Sequence, residues 1–275
     1  MVGSWTASDV AGVLRRPTAA DDKYSRGVLG IRTGSAEYPG AAVLGVEAAW
    51  RTGLGMVRYV GAARDLVLQR RPETVTQDGR VQAWLIGSGT DASARRGDET
   101  HALRGILAGD VPVVVDAGAL DLVVAATAPV LVTPHAREHA RLREALGLPE
   151  AHDRAAGSAE TAATLGGAVL LKGSETIVAT PSGWSTTVDA GTPWLATAGT
   201  GDVLGGVIGA LVAGAAAGGE VDAEALGPLA ASGAWLHGHA ARLAAAAAGH
   251  GGGPITALDV ADALPRAVAE VLARA

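Results

Sequence analysis

Short, unbroken aliphatic runs recur along this chain: Val28–Ile31, Ala83–Ile86, Val113–Val115, Val130–Thr133 and Ala168–Leu171. They do not alternate apolar with polar residues, as a strand with one wet face must. A strand apolar on both sides has to be covered on both faces. Met56–Val60 reads as a further strand, and Ala41–Thr52, His101–Ala108 and Glu138–Leu146 carry helical spacing between the strands. This alternation predicts an α/β fold: a mostly parallel central sheet with helices on both faces.

Ligands of such sheets bind at the carboxyl ends of the strands. Ser35, Ser88, Asp116, His135 and Lys172 all follow directly on aliphatic runs or their turns. Beyond Lys172 the pattern changes. Thr176–Thr180, the turn Pro181-Ser182-Gly183 and Trp184–Val188 predict a β-hairpin. Gly191–Asp202 reads as a loop, Val203–Gly214 and Ala230–Ala248 as helices of small residues, and Pro254–Ala275 as a last helix capped near Thr256. No repeat or linker interrupts this order, so residues 1–275 are expected to form one three-layer domain.

Composition narrows the function. Apolar residues at 48% against 18% charged exclude a disordered chain. A net charge of −6 argues against wrapping a nucleic-acid backbone. The absence of Cys removes disulfides, thiolate metal sites and cysteine nucleophiles. Val203–Gly219 is apolar but built of Gly and Ala, which suits a buried helix better than a membrane span. Met1–Asp9 lacks a basic start followed by an apolar stretch, so no signal peptide is expected. The expectation is a cytoplasmic protein acting on small molecules, without nucleic-acid or membrane partners.

The stretch Ala196-Thr197-Ala198-Gly199-Thr200-Gly201-Asp202-Val203-Leu204-Gly205-Gly206 places small residues directly before an apolar helix. Its backbone N–H groups can converge on one cavity, reinforced by the helix dipole, to make an anion hole. Asp202, in the first turn, then suits a general base that takes a proton from an attacking hydroxyl. The alternative is that Asp202 only caps the helix. The stretch is neither a P-loop, since no Gly-Lys-Ser/Thr follows, nor a Rossmann fingerprint, whose glycine spacing differs. Lys172 is either a phosphate contact or a solvated strand-end lysine. Asp116 either orients a substrate or binds a loop backbone. His135, Glu138 and His139 have a spacing that invites a metal, but His135 precedes the helix, so the three need not share a face. His237 and His239, two apart on a helix, point to different sides and read as core or surface residues.

The 196–206 stretch resembles the anion-hole and base motif of the ribokinase-like superfamily and, within it, of the ADP-dependent NAD(P)H-hydrate dehydratase family. Further segments resemble that family in order: Lys23–Leu29 with Thr33-Gly34-Ser35 and Tyr38–Ala42, then Leu85–Gly89, Val115–Leu120, Thr133-Pro134-His135 with Glu138, and Leu171-Lys172-Gly173 with Thr176. The resemblance spans most of residues 23–270. Ser88 departs from it, standing where proline is usual, as do Thr90-Asp91, Ala136-Arg137 and the run Gly30–Thr33.

The resemblance implies a three-layer ribokinase-like sandwich and a cofactor-repair reaction: the S form of hydrated NADH or NADPH is phosphorylated by ADP on its ring hydroxyl and then eliminates phosphate. It implies Asp202 as base, with Gly199, Thr200 and Gly201 around the phosphoryl group. Ala41, Gly89, His135 and Asp202 would contact the hydrated cofactor. Lys172, Gly173, Ser174, Glu175, Thr176 and Gly201 would contact the nucleotide. It further implies Mg²⁺ with unassigned ligands, a homotetramer and a separate epimerase, since the chain is too short to carry that domain fused. Two other readings use the same residues: a kinase of a hydroxymethyl group on a vitamin precursor or sugar, and a nucleotide-binding regulator without catalysis.

Overall fold

The computed structural model describes residues 3–274. Met1 and Val2, within the stretch read as lacking a leader, and Ala275, the expected end of the last helix, lie outside the described residues.

The elements run β1 (Gly3–Ser4), α1 (Ala7–Val13), β2 (Val28–Arg32), α2 (Pro39–Thr52), β3 (Met56–Tyr59), α3 (Arg64–Arg70), β4 (Ala83–Ile86), α4 (Gly97–Leu107) and β5 (Val113–Val115). After a 3₁₀ stretch at Ala117–Ala125 come β6 (Val130–Val132), α5 (Ala136–Ala145), α6 (Arg154–Leu165), β7 (Ala168–Leu171), β8 (Thr176–Ala179) and β9 (Ser185–Val188). A 3₁₀ turn at Pro193–Leu195 leads to α7 (Thr200–Ala216), α8 (Leu226–Ala247) and α9 (Ala257–Leu272).

Among the described residues the strands form one nine-stranded sheet in the order β1-β9-β8-β7-β6-β5-β4-β2-β3. From β3 across to β7 every pairing is parallel; β8 reverses against β7 and β9 against β8, which is the expected hairpin. The unbroken aliphatic runs have a direct cause. Val114, Leu131 and Leu170 point to one face, where α2, α7, α8 and α9 pack. Val113, Val115, Val130, Val132 and Val169 point to the other, against α4, α5, α6 and the first 3₁₀ stretch. Both faces of the middle strands are dry, so no position in them is free to be polar.

The chain leaves β2 for the edge strand β3 and then returns to β4 on the other side of β2. This reversal opens a crevice at the carboxyl ends of β2 and β4. Glycines let α2 and α7 close on it. A Cβ at Gly206 of α7 would run into the Gly45 carbonyl of α2 and lie 2.9 Å from the Ala48 Cβ. A Cβ at Gly45 would in turn sit 3.6 Å from the Asp202 carbonyl. The candidate base therefore rides on a helix seated directly against its neighbour.

Candidate active site

Helix α7 begins three residues earlier than its apolar run suggests. Its N-cap is Gly199, in the left-handed region at φ 88°, and no side chain caps it. The first-turn amides therefore have no partner within the helix. Asp202 does not cap, so that alternative falls. Its Oδ1 instead accepts a hydrogen bond from the Ser88 hydroxyl, from the turn after β4. The Thr200 hydroxyl donates to the carbonyls of Leu195 and Thr197, both at 3.0 Å, and so pins the preceding loop while its amide stays free.

Opposite this turn stands Lys172, at the end of β7. It is not a solvated lysine: its Nζ lies 2.8 Å from Asp116 Oδ1, and its side chain is 22% exposed. The same Asp116 oxygen accepts from Thr133 Oγ1 at 2.9 Å. Asp116 thus holds a side chain rather than a loop backbone. A Cβ on Gly201 would sit 3.9 Å from Lys172 Nζ, so the ammonium faces the start of α7.

The electrostatics follow from burial. Loss of hydration pushes the Asp202 carboxyl up; the Ser88 hydrogen bond opposes this, the Asp116 charge adds to it and Lys172 counters it. Burial pulls Lys172 down, but the charge and hydrogen bond of Asp116, with Glu138 and Asp202 beyond, leave it raised and charged.

A cleft of about 660 Å³ opens beside the pair, a size suited to a small-molecule ligand. Lys172, Gly173, Ser174, Thr176, Thr200 and Gly201 line one part of it. Val188, Ala190, Pro193, Leu195 and Leu204 make an apolar part. Five of the six residues expected at the nucleotide share this space. Glu175 does not line it, but its carbonyl and that of Lys172 both accept from Arg154, each at 3.2 Å. Arg154 also explains Gly173, where a Cβ would meet its guanidinium. No motif around Arg154 marks it in the sequence.

Of the residues expected at the hydrated cofactor, Ala41 and Gly89 are brought together. Ala41, in the first turn of α2, and Gly89 are in contact: a Cβ on Gly89, at φ 66°, would collide with the Ala41 Cβ. His135 is the N-cap of α5, its Nδ1 accepting from the Arg137 and Glu138 amides at 3.2 and 3.3 Å. The Glu138 carboxylate accepts from the His135 amide at 2.8 Å, completing a capping box. His139 is buried against Thr161 at 2.9 Å, and burial takes it down to about 4. Among the described residues no three His, Cys, Asp or Glu side chains gather as a metal cage. His239 pairs with Glu270 at 2.8 Å, away from the cleft that His237 lines.

The chain shares the fold of a ribokinase-like superfamily protein from Enterococcus faecalis, whose structure matches with a TM-score of 0.81 at 22% identity, covering 98% of this chain and 96% of that one. The chain belongs to the NAD(P)H-hydrate dehydratase family, whose model matches residues 29–266. It is 43% identical over 263 residues to the bifunctional NAD(P)H-hydrate repair enzyme Nnr of Mycobacterium leprae, covering 91% of this chain and 53% of that protein. It is 34% identical over 270 residues to the ADP-dependent (S)-NAD(P)H-hydrate dehydratase of Neisseria meningitidis, covering 89% and 86%. The chain thus spans about half the length of the bifunctional relatives it matches. The crystal structure of an ADP/ATP-dependent NAD(P)H-hydrate dehydratase from Bacillus subtilis, co-crystallised with ATP and Mg²⁺, matches with a TM-score of 0.81 at 28% identity, covering 98% of this chain and 99% of that one.

Proposed function

We propose that this chain, acting as a single domain, is an ADP-dependent hydro-lyase that converts the S form of hydrated NADH or NADPH back to the intact cofactor, releasing AMP and phosphate. The observation that carries the reading is the convergence of unpaired helix-start amides and the Lys172 ammonium on one cleft, with the Asp202 carboxylate in the same first turn of α7.

In this reading ADP lies in the cleft, bordered by Lys172, Gly173, Ser174, Thr176 and Gly201, with Glu175 contributing backbone held by Arg154. Ala41, Gly89 and His135 border the hydrated nicotinamide, where small side chains let the ring approach the backbone. Asp202 takes the proton of the ring hydroxyl as its oxygen attacks the terminal phosphorus of ADP. The bond from that phosphorus to the bridging oxygen breaks, and AMP leaves. Charge on the transferring group is met by the amides of Thr200 and Gly201, within the Gly199–Gly201 turn. The ring nitrogen's lone pair then expels phosphate from the adjacent carbon. Loss of a proton from the next ring carbon restores the double bond.

Mg²⁺ would be brought by the nucleotide. A Mg²⁺ ion is commonly held by substrate phosphates, water and one or two carboxylates rather than by an all-protein cage, and it would offset phosphate charge. Asp189 is the carboxylate that lines the cleft, and Asp116 stands against Lys172 at its border; either would be available to support such an ion. On the family resemblance alone, the reading extends to a homotetramer in the cytoplasm, supplied with the S form by an epimerase activity.

The test is recovery of reduced-nicotinamide absorbance from hydrated NADH with Mg²⁺ and either ADP or ATP. Recovery with ADP is expected. No recovery with either donor, together with phosphorylation of another alcohol, would make the chain a small-molecule kinase instead.

A further inference from the structure

Ser88 is held more firmly than a turn residue needs to be. It is 1% exposed and lies between Gly87 at φ 94° and Gly89 at φ 66°. A Cβ on Gly87 would meet the Asp116 carbonyl and Ala119; one on Gly89 would meet Ala41. The turn is therefore wedged between the end of β5 and the start of α2, and left-handed glycines are what allow it. The Ser88 carbonyl accepts from the Gly34 amide at 2.8 Å, tying it to the end of β2 as well. From this clamp the hydroxyl reaches 114 residues along the chain to Asp202 Oδ1.

We infer that Ser88 is a positioning residue for the base: its hydroxyl holds one oxygen of Asp202 so that the other is left to accept the substrate proton. This deepens the dehydratase reading and rests on Asp202 as its base. Asp202 Oδ2 lies on the side of the Gly199 turn, 3.9 Å from where a Gly199 Cβ would stand, and takes no hydrogen bond from the described residues. A carboxylate on a rotatable side chain loses rate when either oxygen can swing away from the acceptor. A single donor from a clamped turn removes that freedom. The donor also favours the ionised form against the burial that disfavours it. Ser88 is not among the residues lining the nucleotide cleft.

The test compares wild type, Ser88→Ala and Ser88→Cys, the last keeping volume but donating weakly. Ser88→Ala is expected to lower kcat roughly tenfold, the scale of a lost hydrogen bond to a charged group, with KM for ADP unchanged. Its acid limb of kcat against pH moves to higher pH, because an unassisted carboxylate ionises later. Asp116 and Lys172, which face Asp202 from the ends of β5 and β7, stay in place and form a constant background. Ser88→Cys falls between the two, and carries the comparison alone if Ser88→Ala does not fold.

A second readout needs no turnover: ¹³C-carboxyl NMR titration of Asp202, assigned by loss of its signal in Asp202→Asn. Its midpoint rises in Ser88→Ala if the inference holds. An unmoved midpoint and acid limb, or a raised KM with kcat intact, overturns it. If wild type fails to dehydrate hydrated NADH with either donor, the functional reading falls and the NMR titration alone decides whether Ser88 sets Asp202.

Discussion

Two glycines of α7 should respond in opposite directions to the same substitution. Replacing a helical glycine by alanine gains about 0.5–1 kcal/mol, because the unfolded chain loses freedom and the helix gains a better former. At Gly214 that gain is unopposed, since the nearest atom to the new methyl is the Arg26 carbonyl at 3.9 Å, ordinary contact. At Gly206 the methyl meets the Gly45 carbonyl and, at 2.9 Å, the Ala48 Cβ. Backbone cannot rotate aside, so the cost belongs in the upper half of the ~1–3 kcal/mol range for overpacking. The net is a loss of about 1–2 kcal/mol at Gly206 and a gain of up to about 1 at Gly214. At roughly 2–4 °C per kcal/mol for a chain near this size, Gly206→Ala should lower Tm by about 2–8 °C and Gly214→Ala raise it by about 1–4 °C. Activity separates them further. Forcing α7 off α2 moves Asp202 relative to Ala41, and a displacement near 1 Å can cost on the order of 10²-fold in rate. Calorimetry and the dehydration assay on both variants test this together. Equal-signed Tm changes, or full activity in Gly206→Ala, would show that the α2–α7 contact does not place the base.

Two further substitutions probe charge. Asp202→Asn should keep ADP affinity by titration calorimetry while turnover falls about 10²–10⁴-fold, the usual worth of a positioned base. Because burial raises the Asp202 carboxyl, its ionisation costs the fold stability: the contribution is full below the ordinary carboxylate range and is lost as pH rises through the raised value. Asp202→Asn should therefore melt above wild type at pH 7, with the difference vanishing in acid. Glu47 has the opposite sign. Its fully buried carboxylate would be pushed up by burial, but Arg71, Arg51 and Arg70 bring it down to about 2. That stability is present above the ordinary value of 4.5 and lost as pH falls through about 2. Glu47→Gln removes the carboxylate these three guanidinium groups share, but they keep Asp262 and Glu73 as partners, so the cost should be about 1.5–3 kcal/mol at pH 7, read from the urea midpoint.

The sheet was legible because its middle strands have no wet face; their composition records burial directly. The edges were not. Strand β1 is two residues long, too short for any pattern, and is identified only by its register beside Thr186 and Thr187. Helix α6, Arg154–Leu165, carries mostly small residues, so its buried Gly157, Ser158, Thr161 and Ala162 leave no aliphatic stripe. The Ala117–Ala125 stretch is apolar without helical period because it tightens into 3₁₀ geometry under the sheet. The start of α7 was misjudged by three residues for a related reason: its uncapped first turn is built of Gly and Thr, residues that do not resemble a helix.

Within the site, residue types could be read but partnerships could not. Ser88 meets Asp202 across 114 residues, and Lys172 meets Asp116 across 56. Those pairings decide which of two nearby carboxylates suits the proposed base, a choice that spacing leaves open. Asp116 is 3% exposed, and one of its oxygens already holds both an ammonium and a hydroxyl. An oxygen so occupied leaves little room for a substrate proton. Asp202 is less buried, carries one hydroxyl, and is raised rather than stabilised by its surroundings. A base must be ionised at rest yet gain from protonation at the moment of attack. Of the two, Asp202 suits the proposed role better: burial favours its protonation, its Oδ2 is open, and Lys172 is hydrogen-bonded to Asp116 rather than to it.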